Sequence, residues 1–249
     1  MKKEYIKETA WSKIFNFLKE QDNIYIKAEE CCKRFVEAIF WMVRTGAQWR
    51  ELPEIYGNWN SVYHRFNEWS KKDIWGSLFI FCQEDPDLEN AMIDSTVIRA
   101  HACSAGYKQQ EEQGLGRSKG GFSSKIHALV DALGNPLRFL ITGGQRNDIT
   151  QADALVSGIT NANVLADKGY DADHLRSLLS EQKCIAVIPP RSNRKNQYEY
   201  DEHLYEDRSA IECFFSKIKH FRRIFSRFDK SMRNFLSFLS FVGACIWLR

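Results

Sequence analysis

Three acidic residues stand where a carboxylate needs a reason. Asp94 lies inside the apolar, β-rich run at 91–100 (AMIDSTVIRA), flanked by Met92, Ile93, Val97 and Ile98. A charge buried in such a strand costs several kcal/mol unless it is paired or holds a metal. Asp167 ends the apolar run at 163–166 and precedes Lys168-Gly169-Tyr170, at the strand end where α/β sheets place their ligand sites. If a helix over 150–159 crosses over and returns this strand parallel to the first and beside it, the two carboxylates come within a few ångströms. They then share one charge problem, which a divalent cation solves. Asp148, acidic but placed after the third strand in a Gly-rich turn, is the control among these acids, expected to tolerate replacement by Ala better.

Glu212 supplies a third carboxylate. The spacing around it predicts a helix on which Arg208, Glu212 and Lys219 fall within about 40° of one another at 3.6 residues per turn. Tyr205 joins that face if the helix begins early enough. Ile211, Phe214, Phe215 and Ile218 form the adjoining stripe that docks the helix on a sheet.

The elements that must position these residues change character near residue 85. Before it the chain reads as helical. Trp11, Ile14, Phe15 and Leu18 recur at helical spacing. A second helix over 27–44 presents Phe35, Ile39 and Val43 and stops at Gly46. After the turn-rich stretch 54–60, Val62, Phe66 and Trp69 line one face of a short helix whose other face offers His64, Asn67 and Lys71. A short helix entered through a tight turn resembles helix-turn-helix geometry, with the polar face entering a DNA groove; a plain helical bundle with a Trp-rich core satisfies the same pattern. After residue 90 the pattern predicts strands at 91–100, 125–131 and 136–142 as an antiparallel meander, then helix 150–159, strand 163–166, helix 172–182, strand 185–188 and a polar loop over 189–202. That order is α/β with a mixed sheet.

Charge is unevenly placed. Residues 1–90 carry 13 Lys and Arg against 15 Asp and Glu, whereas residues 91–249 carry 22 against 17. The excess concentrates between Arg208 and Arg233, where eight basic residues, Arg222, Arg223 and Arg227 among them, alternate with five phenylalanines. A basic stripe of this kind suits a polyanion, and a solvated helix face has the same appearance. The seven cysteines include no CxxC pair and no apolar signal segment follows Met1, so a reducing cytoplasm is the expected compartment. The apolar run 235–248 is too short to cross a bilayer core of roughly 30 Å and reads as a buried helix.

The spacing Tyr205-x2-Arg208-x3-Glu212-x6-Lys219 resembles the Y-(2)-R-(3)-E-(6)-K signature of bacterial insertion-sequence transposases with a DDE active site. The segments 91–101, 116–137, 165–173, 188–196 and 227–238, together with the helical part at 27–75, are similar to the insertion-sequence-five group, so the likeness covers nearly the whole chain.

The resemblance implies an α/β, ribonuclease-H-like mixed sheet with flanking helices as the catalytic domain (residues 86–249), preceded by a small all-helical, helix-turn-helix-like domain that binds DNA ends (residues 1–85). It implies Asp94, Asp167 and Glu212 as the catalytic, metal-binding triad for two Mg²⁺ or Mn²⁺ ions. The chemistry it implies is cleavage at the ends of a mobile element and joining of the 3′-hydroxyls to target DNA. The partners expected are the double-stranded terminal inverted repeats and target DNA, handled by at least a homodimer, with no membrane and a nucleoid-associated bacterial location. Arg208 and Lys219 are expected to hold phosphates, and Tyr205 to stack on a displaced base or touch a phosphate. Arg222 and Arg223 extend the basic stripe. Arg117 and Lys119 belong to a basic loop over 117–121 between the first strands that closes on DNA or is an ordinary connection, and Lys125, at the start of the following strand, is expected on DNA as well. A metal-dependent nuclease without joining, and a catalytically idle repressor derived from a transposase, are the competing readings.

Overall fold

The computed structural model describes residues 6–26, 28–105, 112–118, 120–195 and 197–249. Four helices come first: α1 (Glu8–Lys19), α2 (Glu29–Thr45), α3 (Trp59–Lys71) and α4 (Ile74–Phe81). The stripes predicted from spacing are the buried ones: Trp11, Ile14 and Leu18 on α1, Phe35, Ile39 and Val43 on α2, and Val62, Phe66 and Trp69 on α3. Gly46 closes α2 at φ 67°, donating its N–H to the Met42 carbonyl, a left-handed stop that glycine adopts without steric cost. Asn58 caps α3, its side-chain oxygen accepting from the N–H groups of Asn60 and Ser61.

The entry to α3 differs from a helix-turn-helix. The connection over 46–58 passes through two 3-10 turns, Trp49–Glu51 and Glu54–Tyr56, where that motif uses three or four residues. Leu52 and Tyr56 are buried, so the connection is anchored in the core and cannot tighten into the motif's turn.

The second half builds a mixed sheet from β1 (Asn90–Ala100), β2 (Gly116–Ser118), β3 (Gly121–Val130), β4 (Pro136–Gly143), β5 (Asn163–Leu165), β6 (Ile185–Val187) and β7 (Ser226–Arg227). β3 pairs antiparallel with both β1 and β4, which is the expected meander. β5 then lies parallel to β1 on its other side, and β6 parallel to β5. Across the sheet the main order is β4-β3-β1-β5-β6. β2 folds back on the start of β3 as a short hairpin, with Ser118 opposite Gly121 and Gly121 at φ 98°. The open basic loop expected here is thus replaced by paired backbone around Arg117. Lys119 lies outside the described residues.

Helices α5 (Ala152–Val156) and α6 (Asp173–Glu181) cover one face of the sheet, and α7 (Glu202–Tyr205), α8 (Ser209–Lys219), α9 (Arg222–Phe225) and α10 (Met232–Trp247) complete the chain. Alternation along β1 assigns its side chains to two cores. Ala91 and Ile93 pack with α5 and α6, while Met92 joins the core formed with α8, α10 and the N-terminal helices. Phe66 of α3 stacks on Phe238 of α10 at 4.3 Å, and Phe79 of α4 on Phe139 of β4 at 5.0 Å. The expected boundary near residue 85 therefore falls in a link across which both parts share one core. Among the described residues no helix is long and apolar enough to cross a membrane; α10 is the buried helix read from its composition.

Candidate active site

Parallel pairing of β1 with β5 sets Met92 opposite Leu165. Asp94 and Asp167 each lie two residues beyond that pair, side by side on neighbouring chains, as the crossover argument requires. Asp167 caps the 3-10 turn Lys168–Tyr170, its Oδ1 accepting from the Gly169 N–H at 2.8 Å. A Cβ at Gly169 would stand 2.8 Å from that oxygen, so the glycine leaves the carboxylate its place.

Glu212 arrives on the opposite element. From Glu202 to Lys219 the chain runs α7, a 3-10 turn at Glu206–Arg208, then α8, so the backbone is helical early enough to bring Tyr205 into the group. The Arg208 guanidinium divides its fork between two carboxylates. Nη1 donates to Asp94 Oδ2 and Nη2 to Glu212 Oε1, both at 2.8 Å. The phosphate-holding arginine expected from sequence is here engaged by the acidic residues themselves, since a half-buried aspartate and a guanidinium one helical turn from Glu212 satisfy each other. Tyr205 sits with its ring centroid 6.0 Å from the guanidinium carbon, and Lys219, half-buried, closes α8. Burial pushes the Asp94 carboxyl above its ordinary value, against the lowering effects of the Ser95 N–H and Arg208; Asp167 and Asp148 push the same way as burial.

Among the described residues no three acidic, histidine or cysteine groups converge closely enough to hold one metal ion. The donor set nonetheless has the chemistry of a hard cation, all carboxylate oxygen. A positive group already bridges two of its members. The residues fit a divalent ion provided Arg208 swings out of the fork it now makes.

Asp148 is not apart from this centre. Its Oδ1 accepts from Ser95 Oγ at 2.7 Å, pairs with Lys125 Nζ at 2.8 Å and lies 3.7 Å from His127 Nδ1. The turn after β4 folds back under β1, a tertiary fact that local sequence does not carry. Lys125, expected on DNA, is consequently neutralised by Asp148 and also donates to the Arg146 carbonyl. His127 is fully buried, its Nε2 2.8 Å from Thr142 Oγ1 and its Nδ1 without a hydrogen-bond partner. Burial lowers its pKa to about 4, with Asp148 opposing and Lys125 assisting. Tyr170 is fully buried with an unpartnered hydroxyl, and burial together with Asp148, Asp94 and Asp167 holds its phenol well above the usual range. Behind it, buried Asp171 accepts from Arg176, Arg194 and the Arg191 N–H, fastening the polar loop after β6 to the turn that carries Asp167. Asp148 is expected from sequence only as a control; neither Tyr170 nor Asp171 is singled out there as a site residue, although both lie within the motif 165–173.

The remaining residues separate by exposure. Arg222 is exposed, as is Arg117, whose guanidinium carbon lies 5.9 Å from the Phe122 ring. His64 is exposed, Asn67 accepts from Arg233 at 3.5 Å and Lys71 pairs with Glu68 at 2.6 Å. Arg223 and Arg227 depart from the expectation. Arg223 is 4% exposed and bidentate to Asp229, with both bonds at 3.0 Å. Arg227 is fully buried and donates to the carbonyls of Gly114, Asp229 and Lys230 and to Ser124 Oγ. Neither has a face left for phosphate.

The sheet and its flanking helices have a ribonuclease-H-like order, with Asp94 on a central strand, Asp167 two residues beyond its parallel neighbour and Glu212 on a packed helix. A family model described as "Transposase DDE domain" matches residues 86–247, and one described as "Putative transposase of IS4/5 family" matches residues 6–79. The chain belongs to the DDE-domain transposases and is a DNA transposase of the insertion-sequence type. It is 43% identical over 129 residues to the "Putative transposase for insertion sequence element IS6501" of Brucella ovis, covering 51% of this chain and 99% of that one. A relative from Burkholderia cepacia, the "Putative transposase for insertion sequence element IS402", is 30% identical over 135 residues, 49% of this chain and 61% of that one. The cryo-EM structure of a piggyBac transposase synaptic complex with hairpin DNA shares the fold, with a TM-score of 0.57 at 12% identity over 98% of this chain and 70% of that one.

Proposed function

We propose that the chain cleaves the ends of its insertion sequence and joins the freed 3′-hydroxyls to target DNA, with Asp94, Asp167 and Glu212 as the catalytic carboxylates. The observation that carries this reading is the single guanidinium bridging Asp94 and Glu212 beside Asp167, three acids and one cation in the order strand, strand, helix. The DDE domain implies a divalent cation. Two Mg²⁺ or Mn²⁺ ions at these carboxylates would supply an activated attacking oxygen and a stabilised leaving one.

The chain's own residues do the positioning. β1 and β5 hold Asp94 and Asp167 rigidly, and α8 brings Glu212 across. Once out of its carboxylate fork, Arg208 offers two parallel donors to a phosphate, Lys219 a point charge and Tyr205 a ring on which a base can stack. Residues 1–85 recognise the terminal repeats through the outer face of α3, where His64, Asn67 and Lys71 lie. Arg222 and Arg117 add sequence-independent phosphate contacts. Two ends must be handled together, so the working unit on DNA is at least a homodimer, acting at the bacterial nucleoid.

The test is incubation of the protein with a duplex of its own element's end and Mg²⁺, followed by electrophoresis. Cleavage and joined products support the reading. Cleavage without joining favours a nuclease, and end binding without cleavage favours a repressor.

A further inference from the structure

Asp94 and Glu212 sit within regular elements, Asp94 in β1 opposite Ala128 of β3 and Glu212 in α8. Asp167 does not. It stands two residues past the last pair of β5, where the chain leaves the sheet through the single 3-10 turn Lys168–Tyr170. Such a turn has poor hydrogen-bond geometry of its own, and the carbonyls at its end need donors from elsewhere. β6 runs parallel to β5, so the segments that leave the two strands emerge side by side at one end of the sheet. The second segment opens Ile188-Pro189-Pro190-Arg191, and two successive prolines fix φ and stiffen it.

Arg191 supplies the missing donors. Its Nη2 donates to the Gly169 carbonyl at 2.7 Å and its Nε to the Lys168 carbonyl at 3.2 Å. Its backbone N–H donates to Asp171 Oδ2 at 2.9 Å, so main chain and side chain grip the same short segment. Asp171 is buried and also accepts from Nε of Arg176 and of Arg194, at 2.9 and 2.7 Å, which ties the grip to α6. The Lys168 carbonyl and the Gly169 N–H are the two ends of one planar peptide. That N–H donates to Asp167 Oδ1 at 2.8 Å. The guanidinium that holds one end of the peptide therefore fixes the donor that orients the carboxylate. We propose that Arg191 is a positioning residue for Asp167, setting the direction of its carboxylate through this peptide. The proposal rests on the triad reading and goes beyond it by adding a residue that touches none of the three acids. An exposed arginine beside an acidic centre is otherwise read as a phosphate contact, but two donors of this one are already spent on carbonyls.

The experiment uses the full chain, a duplex of its own element's end and Mn²⁺, with Arg191→Ala, Arg191→Lys and Asp167→Ala beside wild type. In Arg191→Ala the Mn²⁺ concentration for half-maximal cleavage should rise about tenfold, the low end of what loosening the support of a metal-binding side chain costs. Mn²⁺ binding to the complex of protein and duplex, read by electron paramagnetic resonance, should weaken by the same factor. KM for the duplex, and duplex affinity without divalent ions, should stay at wild-type values. Arg191→Lys, which can still reach one carbonyl, should fall between wild type and Arg191→Ala. Circular dichroism establishes that each variant is folded, and in Arg191→Ala backbone hydrogen exchange should quicken over residues 167–171. Wild-type Mn²⁺ requirement and Mn²⁺ affinity in folded Arg191→Ala overturn the proposal. A loss of duplex affinity with an unchanged Mn²⁺ requirement overturns it too, by making Arg191 a phosphate contact. Near-normal cleavage and Mn²⁺ binding by Asp167→Ala would instead strike at the triad on which the proposal rests.

Discussion

The basic stretch from Arg208 to Arg233 puts the same side chain to opposite uses at its two ends. Arg208 stands at the mouth of the acidic centre with its fork on Asp94 and Glu212, where a cation or a phosphate can compete for either end of the pair. Arg223 and Arg227, fifteen or more residues on, are sealed inside. Arg223 is clamped to Asp229 and lies 4.8 Å from the Phe238 ring, and Arg227 is wired to backbone carbonyls. What separates them is whether the partner is a half-buried or exposed carboxylate or a sealed part of the fold.

The sharpest way to break that contrast is to remove the carboxylates at the first end. Asp94→Ala, Asp167→Ala and Glu212→Ala should each lower cleavage of end DNA in Mg²⁺ by several orders of magnitude, since both displacement steps use the same ligands. Folding and end binding should persist, because relieving like-charge repulsion among clustered acids costs the fold little. Near-normal cleavage by any one of the three, properly folded, would sink the triad. Asp148→Ala belongs in the same series. With its bonds to Ser95 and Lys125 it is a positioning residue, and its loss should reduce cleavage by less than any of the three, with kcat affected more than KM.

At the second end the same experiment should read out as stability. Arg223→Ala leaves Asp229 buried and unpaired, which costs about 3–5 kcal/mol, seen as a fall in denaturant midpoint. Replacing both, Arg223→Met with Asp229→Leu, should recover most of the loss, because an apolar pair of similar volume avoids the desolvation penalty. If Arg223→Ala is as stable as wild type but binds DNA less tightly, the comparison fails.

Which parts of this were readable beforehand follows from the range of the forces involved. Asp94, Asp167 and Glu212 are legible because each violates or punctuates a local pattern: an acid in an apolar strand, an acid at a strand end, an acid one turn from an arginine. The helix stripes at Trp11, Phe35 and Phe66 are legible for the same reason. Arg223 and Arg227 are not, because their burial depends on Asp229 and on carbonyls at Gly114 and Lys230 that only the folded chain assembles. Nor is Asp148, whose place beside Asp94 depends on how the turn after β4 returns. The entry to α3 is not legible either, because turn-forming residues at 54–60 signal a turn without revealing that Leu52 and Tyr56 are anchored in the core.

A buried group on β3, the antiparallel neighbour of β1, gives a smaller, pH-dependent effect. His127 has an unfolded pKa of about 6.5 and a folded one of about 4. The folded form therefore stays neutral while the unfolded form takes up a proton. Stability is fully present above pH 6.5 and is lost as pH falls towards 4, by up to about 3 kcal/mol from this residue. Urea midpoints at pH 7.5 and 4.5 should diverge less for His127→Gln than for wild type, and identical pH profiles would remove His127 as the source.

The smallest expected effect lies between the two ends and decides where the boundary falls. Arg222 is exposed on α9, next to Arg223, which is not. Position alone makes it part of the sealed cluster; exposure makes it part of the DNA face. A lysine or arginine that neutralises one phosphate contributes about 0.9 to the slope of log affinity against log salt. Arg222→Ala should therefore flatten that slope by roughly one unit on any duplex, with no change in denaturant midpoint beyond the roughly 0.5 kcal/mol usual for a surface site. Arg223→Ala, measured in parallel under conditions where it remains folded, should leave the slope unchanged. Equal slopes for wild type and Arg222→Ala would extend the structural cluster back to α9 and leave Arg208 and Lys219 as the stretch's contacts to DNA at the acidic centre.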